Sequence, residues 1–190
     1  TTPGEAGRRY EARVTIGLAF RCVTPVLQQV THFLLPGRYS RSSRRAHPTT
    51  HPTMPHAFFT IGHSNRSVDE FIDLLKEAEI DLVVDVRTVA GSRSNPQFNA
   101  EALRKELEEN QIGYVHLPVL GGLRGKSRSV SPTTNAFWQN ESFRNFADYA
   151  TTPQFREGLK ELMNLGKRHR VAIMCAEAVW WRCHRRIIAD

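Results

Sequence analysis

From residue 58 onward, short unbroken apolar runs alternate with longer stretches whose apolar positions recur at helical spacing. Phe58-Phe59-Thr60-Ile61 predicts a short strand that stops at Gly62-His63-Ser64-Asn65. Ser67-Val68-Asp69-Glu70 has the pattern of a capping box, with Ser67 capping and Glu70 reaching back. The helix it opens carries Val68, Phe71, Ile72, Leu74, Leu75 and Ala78 on one stripe. Leu82-Val83-Val84-Asp85-Val86 is almost continuously apolar, as expected of a strand covered on both faces. Asn99 is placed to cap a second helix running to Asn110, with Leu103 and Leu107 inward and Gly113 as its stop. Tyr114-Val115-His116-Leu117 predicts a third strand.

The polar stretch 121–135 reads as a long loop, and 137–149 as a helix whose stripe of Phe143, Phe146 and Tyr149 belongs to the core. Thr152-Pro153 signals the start of a further helix bearing Phe155, Leu159, Leu162 and Met163. Val171-Ala172-Ile173-Met174 is the fourth strand, and 183–190 looks like a helix only just begun. Buried strands alternating with helices predict an α/β fold: a mainly parallel sheet of about four strands with helices on both faces, three-layered and Rossmann-like.

Charge changes this picture at one end only. The chain of 190 residues carries a net charge of +7, but residues 1–53 hold eight Arg, no Lys and two Glu. Residues 54–190, with 18 basic and 17 acidic side chains, are close to neutral. The high isoelectric point therefore gives no support to nucleic acid as a partner. The first Met is Met54, and 37–52 is rich in Ser, Thr, Arg, His and Pro. Residues 1–53 are accordingly expected to be a basic, disordered leader, a transit segment or upstream sequence, with 54–190 as a single α/β domain. No run approaches the about 18 apolar residues of a membrane helix, so no membrane partner is expected. Three cysteines are too few for a disulfide framework and point to a reducing, cytoplasmic setting. Nothing in the pattern bears on the oligomeric state.

Ligands of parallel α/β sheets bind beyond the carboxyl ends of the strands, and that is where this chain collects its polar chemistry. The first strand delivers His63, Ser64 and Asn65; the second Asp85 and Arg87, then Ser92 and Arg93; the third His116, followed by Gly121, Gly122 and Arg124. The fourth delivers Cys175 and Glu177, then Cys183, His184 and Arg185. Cys175, Glu177, His184, His63 and Asp85 are the candidate catalytic groups: a thiol nucleophile, a carboxylate acid or base, and imidazoles able to move protons near neutrality. Arg87, Ser92, Arg93, Gly121, Gly122 and Arg185 are the candidate anion-binding groups. Each also has a plain structural use: Asp85 with Arg87 as an ion pair, His63 as a cap, His116 as a core histidine, Cys175 as a small hydrophobe.

Three other uses compete. Cys175 and Cys183 form a redox pair if their loop folds back, although the spacing is not that of a Cys-x-x-Cys motif. Zinc has Cys175, Cys183, His184 and His63 as candidate ligands, but neighbouring side chains on a helix point about 100° apart, which separates Cys183 from His184. No cofactor is required. Gly121-Gly-Leu-Arg-Gly125-Lys126-Ser127 has one residue too few between its glycines for a phosphate-binding P-loop, and the Arg-Ser-Val-Ser-Pro that follows cannot open the required helix. Trp180-Trp181 fits a core pair, a lid or a stacking platform.

Taken jointly, Ile61-Gly62-His63-Ser64-Asn65, Val84-Asp85-Val86-Arg87 with Ser92-Arg93, Leu117-Pro118 with Leu120-Gly121-Gly122, and Met174-Cys175-Ala176-Glu177 through Cys183-His184-Arg185 resemble the domain of unknown function 488 family over about residues 57–190. The resemblance implies an α/β domain that continues past the Cys-His-Arg helix, so an incomplete C-terminus is expected. It brings no reaction with it. A fainter likeness to rhodanese-like domains, with Asp-x-Arg after one strand and a cysteine ending another, is one of analogy. Two functional classes follow from the residues. One is an enzyme acting on a small phosphorylated, nucleotide-like or nucleic-acid-end substrate. The other is a non-catalytic anion or nucleotide-binding module, or a thiol or metal sensor.

Overall fold

The computed structural model describes residues 57–190 together with the backbone of Arg21–Cys22. Five parallel strands form one sheet: β1 (Arg21–Cys22), β2 (Phe59–Gly62), β3 (Leu82–Asp85), β4 (Gly113–His116) and β5 (Val171–Cys175), in the spatial order β1-β2-β5-β3-β4. The four strands expected from the sequence are all present. The two residues of β1 are an addition, because Arg21–Cys22 lies in the leader and pairs with Phe59 and Thr60. The rest of 1–56, and with it the expectation of disorder there, lies outside the described residues.

Alternating strand positions feed two cores. Ile61, Val83, Ala172 and Met174 meet Phe71, Ile72, Leu74 and Leu75 of α1 (Val68–Glu77) and Leu103 and Leu107 of α2 (Ala100–Glu109). On the other face Val84, Val171, Ile173 and Cys175 meet Phe146 of α3 (Glu141–Ala150), Phe155 and Leu162 of α4 (Pro153–Gly166) and Ile188 of α5 (Arg185–Ala189). The result is the expected three-layer sandwich. Fully burying an aliphatic or phenyl side chain contributes about 2 kcal/mol, so these two clusters outweigh every local propensity in the chain.

Of the three caps the sequence predicts, one forms in full, one in part and one not at all. Ser67 accepts from the Glu70 amide at 3.1 Å as expected, but the Glu70 carboxylate pairs with Arg66 at 3.2 Å instead of turning back. Asn99 does not cap α2; its side-chain oxygen takes the Ser92 amide and ties the loop after β3 to the helix start. Thr152 caps α4 through the Phe155 amide at 3.3 Å, with Pro153 at the first helical position. Replacing Thr152 by Ala is expected to cost about 1 kcal/mol in urea unfolding without touching the strand ends. Helix α3 begins later than the pattern implied, at Glu141, because Asn140 caps it through Ser142 and Phe143 amides and leaves Phe137 79% exposed. Gly113 opens β4, and Gln111 takes the left-handed position after α2 at φ 60°.

The order of the strands decides where a ligand fits. The connections after β2 and β3 run to the α1/α2 face, whereas the chain returning from β4 crosses by α3 and α4 to the opposite face and inserts β5 between β2 and β3. Loops leaving β5 and its neighbours diverge there, and a crevice opens at the carboxyl ends of the strands.

Candidate active site at the strand ends

A cavity of about 540 Å³ occupies that crevice, a size that suits a small ligand. His63, Ser64, Arg87, Ser92, Gly122, Cys175, Glu177, Cys183 and His184 line it, so nine of the positions singled out from the sequence come together. Asp85, Arg93, Gly121, His116 and Arg185 do not reach its wall. Arg182, which the sequence places with Arg185 and Arg186 as a candidate anion donor, also lines it, and so do Thr88, Asn95, Ser142, Phe143 and Phe146, which the sequence did not mark as site residues. For the α3 residues a signal exists in the stripe of Phe143 and Phe146, three apart: it serves the core through Phe146, while Phe143 is only partly buried and faces the cavity.

Asp85 sits beneath the floor with no exposure at all. Its two oxygens accept the Arg87 amide at 3.0 Å, the Arg87 guanidinium through Nε and Nη2, and the Tyr114 hydroxyl at 2.7 Å. Burial works to lower the Arg87 pKa, but the bonds and charge of Asp85 more than offset it. Burial and the same carboxylate push the Tyr114 phenol up. Arg87 also donates to the Phe98 carbonyl at 2.8 Å, and His116 to the Arg87 carbonyl at 2.9 Å. Asp85 is thus spent on holding Arg87, and nothing of it faces a ligand.

His63 follows β2 and is 2% exposed. Its ring stacks on Phe98 at 4.4 Å, Nδ1 donates to the Ser64 carbonyl, and Nε2 lies 3.4 Å from Arg87 Nη1. Burial, with Arg87 adding to it, lowers its pKa and keeps the ring neutral. Ser64 takes φ 50°, a conformation costly for a residue with a Cβ, and its amide donates to the Ala176 carbonyl at 2.9 Å. Gly62 is obligatory for a different reason, since a Cβ there would run into the Glu177 carbonyl. Gly62→Ala is expected to cost about 3 kcal/mol of stability in denaturant unfolding, because the loop after β5 must shift.

That loop carries the sulfur chemistry. Cys175 and Cys183 are both free and buried, with Sγ atoms 3.5 Å apart. The Glu177 amide donates to Cys175 Sγ at 3.3 Å. Cys183 Sγ receives the Cys175 thiol, the Arg185 amide at 3.4 Å and Arg185 Nε at 3.1 Å. Arg185 itself is 1% exposed, and its Nη2 donates to the Glu177 carbonyl. Among the described residues no carboxylate pairs with it. A buried guanidinium needs an anion, and the atom its Nε reaches is Cys183 Sγ. The Cys175 hydrogen bond first, and Arg185 after it, lower the Cys183 pKa, while bonding to Cys183 and burial raise that of Cys175. Arg185 therefore favours negative charge on Cys183, the sulfur it touches, over Cys175.

His184 donates from Nε2 to the Val86 carbonyl at 3.2 Å, which leaves Nδ1 as a lone pair. Gly122 packs against this ring, where a Cβ would meet Nδ1; Gly121 likewise abuts Thr88. At both positions the missing Cβ makes room for these neighbours. Burial, followed by the charges of Arg185 and Arg124, lowers the His184 pKa to about 4. The unfolded chain protonates His184 near its ordinary value of about 6.5. Stability is therefore full above that pH and is lost as pH falls toward 4. Melting temperature should drop across this window, by the equivalent of about 3 kcal/mol, and His184→Gln should flatten the slope.

A family model described as Domain of unknown function DUF488 matches residues 67–190. The chain belongs to that family. The match begins at Ser67, after the Gly-His-Ser-Asn segment, yet in this DUF488 domain that segment shares the sheet and the cavity with the rest. No curated protein and no solved structure matches the chain. No helix among the described residues is long and apolar enough to cross a membrane.

Whether this DUF488 site suits a metal depends on its donors. Cys175, Cys183 and His184 offer ligand atoms within 4.8 Å of one another. Cys183 is extended (φ −138°, ψ 174°) and only His184 stands at the helix start, so the helical separation expected between these two side chains does not apply. His63 does not join them, its nitrogens being engaged by Ser64 and Arg87. Two thiolates would neutralise a divalent ion and leave the Arg185 charge buried without an anion. One thiolate without a metal, by contrast, would balance Arg185 one for one.

Proposed function

We propose that this DUF488 domain is an enzyme whose nucleophile is the Cys183 thiolate, acting on a small phosphorylated or nucleotide-like substrate held in the cavity. The observation that carries this reading is the buried Arg185, without a carboxylate, aimed at Cys183 Sγ. Arg182 on the wall, and the one Arg87 N–H without a partner here, suit an anionic group. Val89, Leu123, Phe143 and Phe146 suit a ring. In the reaction Cys183 Sγ bonds to the electrophilic centre and the leaving group departs with its electron pair, taking a proton from solvent. Water then attacks that centre, His184 Nδ1 accepts its proton, and the thiolate is released. His63 and Asp85 act as positioning residues through Arg87. Glu177 contributes its backbone to the sulfurs and presents its exposed carboxylate at the cavity wall, available for proton transfer. A reduced, cytoplasmic setting fits a free thiolate.

The test begins with thermal shift against nucleotides and small phosphorylated compounds, followed by turnover of those that bind. Cys183→Ala should keep the shift and abolish turnover, and mass spectrometry should find the covalent adduct on Cys183. Turnover that survives Cys183→Ala defeats the reading. Stoichiometric zinc in the purified protein would favour a metal site instead, and binding without turnover a non-catalytic module.

A further inference from the structure

We infer that the Cys183–Cys175 pair also reduces hydroperoxides, closing to a disulfide as it does so. The inference uses the same thiolate as the proposed enzyme and rests on that assignment, but it needs Cys175, which the nucleophilic reaction uses only as a hydrogen-bond donor.

The geometry supplies each part. Both cysteines are lining residues of the cavity, which is the route by which a hydroperoxide reaches Cys183 although Cys175 and Cys183 are 2% and 6% exposed. The second sulfur is already 3.5 Å away. A disulfide needs about 2.05 Å, a change within reach of side-chain rotation. Arg185 sits against Cys183 and favours negative charge there before and during attack.

The steps balance. Cys183 thiolate attacks the terminal peroxide oxygen, the O–O bond breaks, and Cys183 becomes a sulfenic acid while the alkoxide leaves. Cys175, whose S–H points at Cys183, gives that alkoxide its proton and becomes the second thiolate. Cys175 then attacks the Cys183 sulfur, the S–S bond forms, and hydroxide departs to take a proton from solvent. One hydroperoxide is reduced to the alcohol and two thiols are oxidised to one disulfide. A thiol reductant restores the pair.

The experiment uses the full chain with Cys22→Ser, so that only the two site cysteines count. One equivalent of cumene hydroperoxide should remove two thiols, lower the mass by two hydrogens within a monomeric chain, and be reversed by dithiothreitol. Cys175→Ser should stop at a sulfenic acid trapped by a cyclic 1,3-diketone, and Cys183→Ser should react at least about tenfold more slowly. Thiols that persist, a disulfide formed only between chains, or equal oxidation of the two variants overturns the inference. Iodoacetamide run in parallel separates the two claims. Labelling of Cys183 near neutrality without peroxide oxidation removes only the peroxide activity, whereas silence toward both reagents removes the thiolate itself. Reaction only after chelator treatment removes both.

Discussion

Asp85→Ala is expected to be the most damaging single substitution in the domain, lowering stability by about 3–5 kcal/mol. Total stabilities of domains are about 5–15 kcal/mol, so much of the purified variant should be unfolded or aggregated. The reason is the company Asp85 keeps. It has no exposure, it holds Arg87 through Nε, Nη2 and the backbone amide, and it takes the Tyr114 hydroxyl. Removing the carboxylate leaves a guanidinium, 7% exposed, with no anion, beside a neutral His63. Arg87→Met in the Asp85→Ala background should recover part of the loss, since it removes the stranded charge. Urea unfolding of the two single variants and the double variant measures this, and strict additivity would show that the pair is not coupled.

Alkylation at the strand ends is expected to show the largest functional effect. An ordinary thiol titrates near 8.5, so its labelling by iodoacetamide rises roughly 70-fold from pH 6 to pH 8. The Cys175 hydrogen bond and Arg185 lower Cys183 to about 6, and its labelling should then rise only about twofold over the same interval. The sign is fixed by the charge: reactivity is full at neutral pH and is lost as pH falls through the folded value. Cys175→Ala should move the midpoint upward most, and Arg185→Met should also raise it, restoring a steep rise above pH 7. Should Arg185→Met fail to fold, Arg185→Lys keeps the charge and tests the loss of the aligned Nε bond. A profile indistinguishable from that of an ordinary thiol would remove the nucleophile from the proposed mechanism.

The strands, the helices and the end of the sheet that carries the chemistry were legible in the chain because each depends on local pattern. Leu82-Val83-Val84 reads as a buried strand before any partner is known, and Thr152-Pro153 announces α4 on its own. Caps were less secure. Asn99 offers its oxygen equally well to a helix amide or to Ser92, and only the loop after β3 decided between them. The division of labour among site residues was not legible. Cys175 and Cys183 are the same side chain in one dimension, and Asp85 next to Arg87 looks as ready for catalysis as for support.

By itself, the order of apolar and polar residues determined a parallel three-layer α/β domain, because two-sided burial of strands leaves its mark on every residue of those strands. It also pointed to one rim for His63, Asp85, Arg87, Cys175, Glu177 and His184, and all of these but Asp85 line the cavity. Only the tertiary structure decided which sulfur Arg185 touches, which acid is locked away and which glycine makes room for a neighbour. Those properties are electrostatic and steric, set within a few ångströms by groups brought from β2, β3, β5 and α5, and no spacing along the chain encodes those distances.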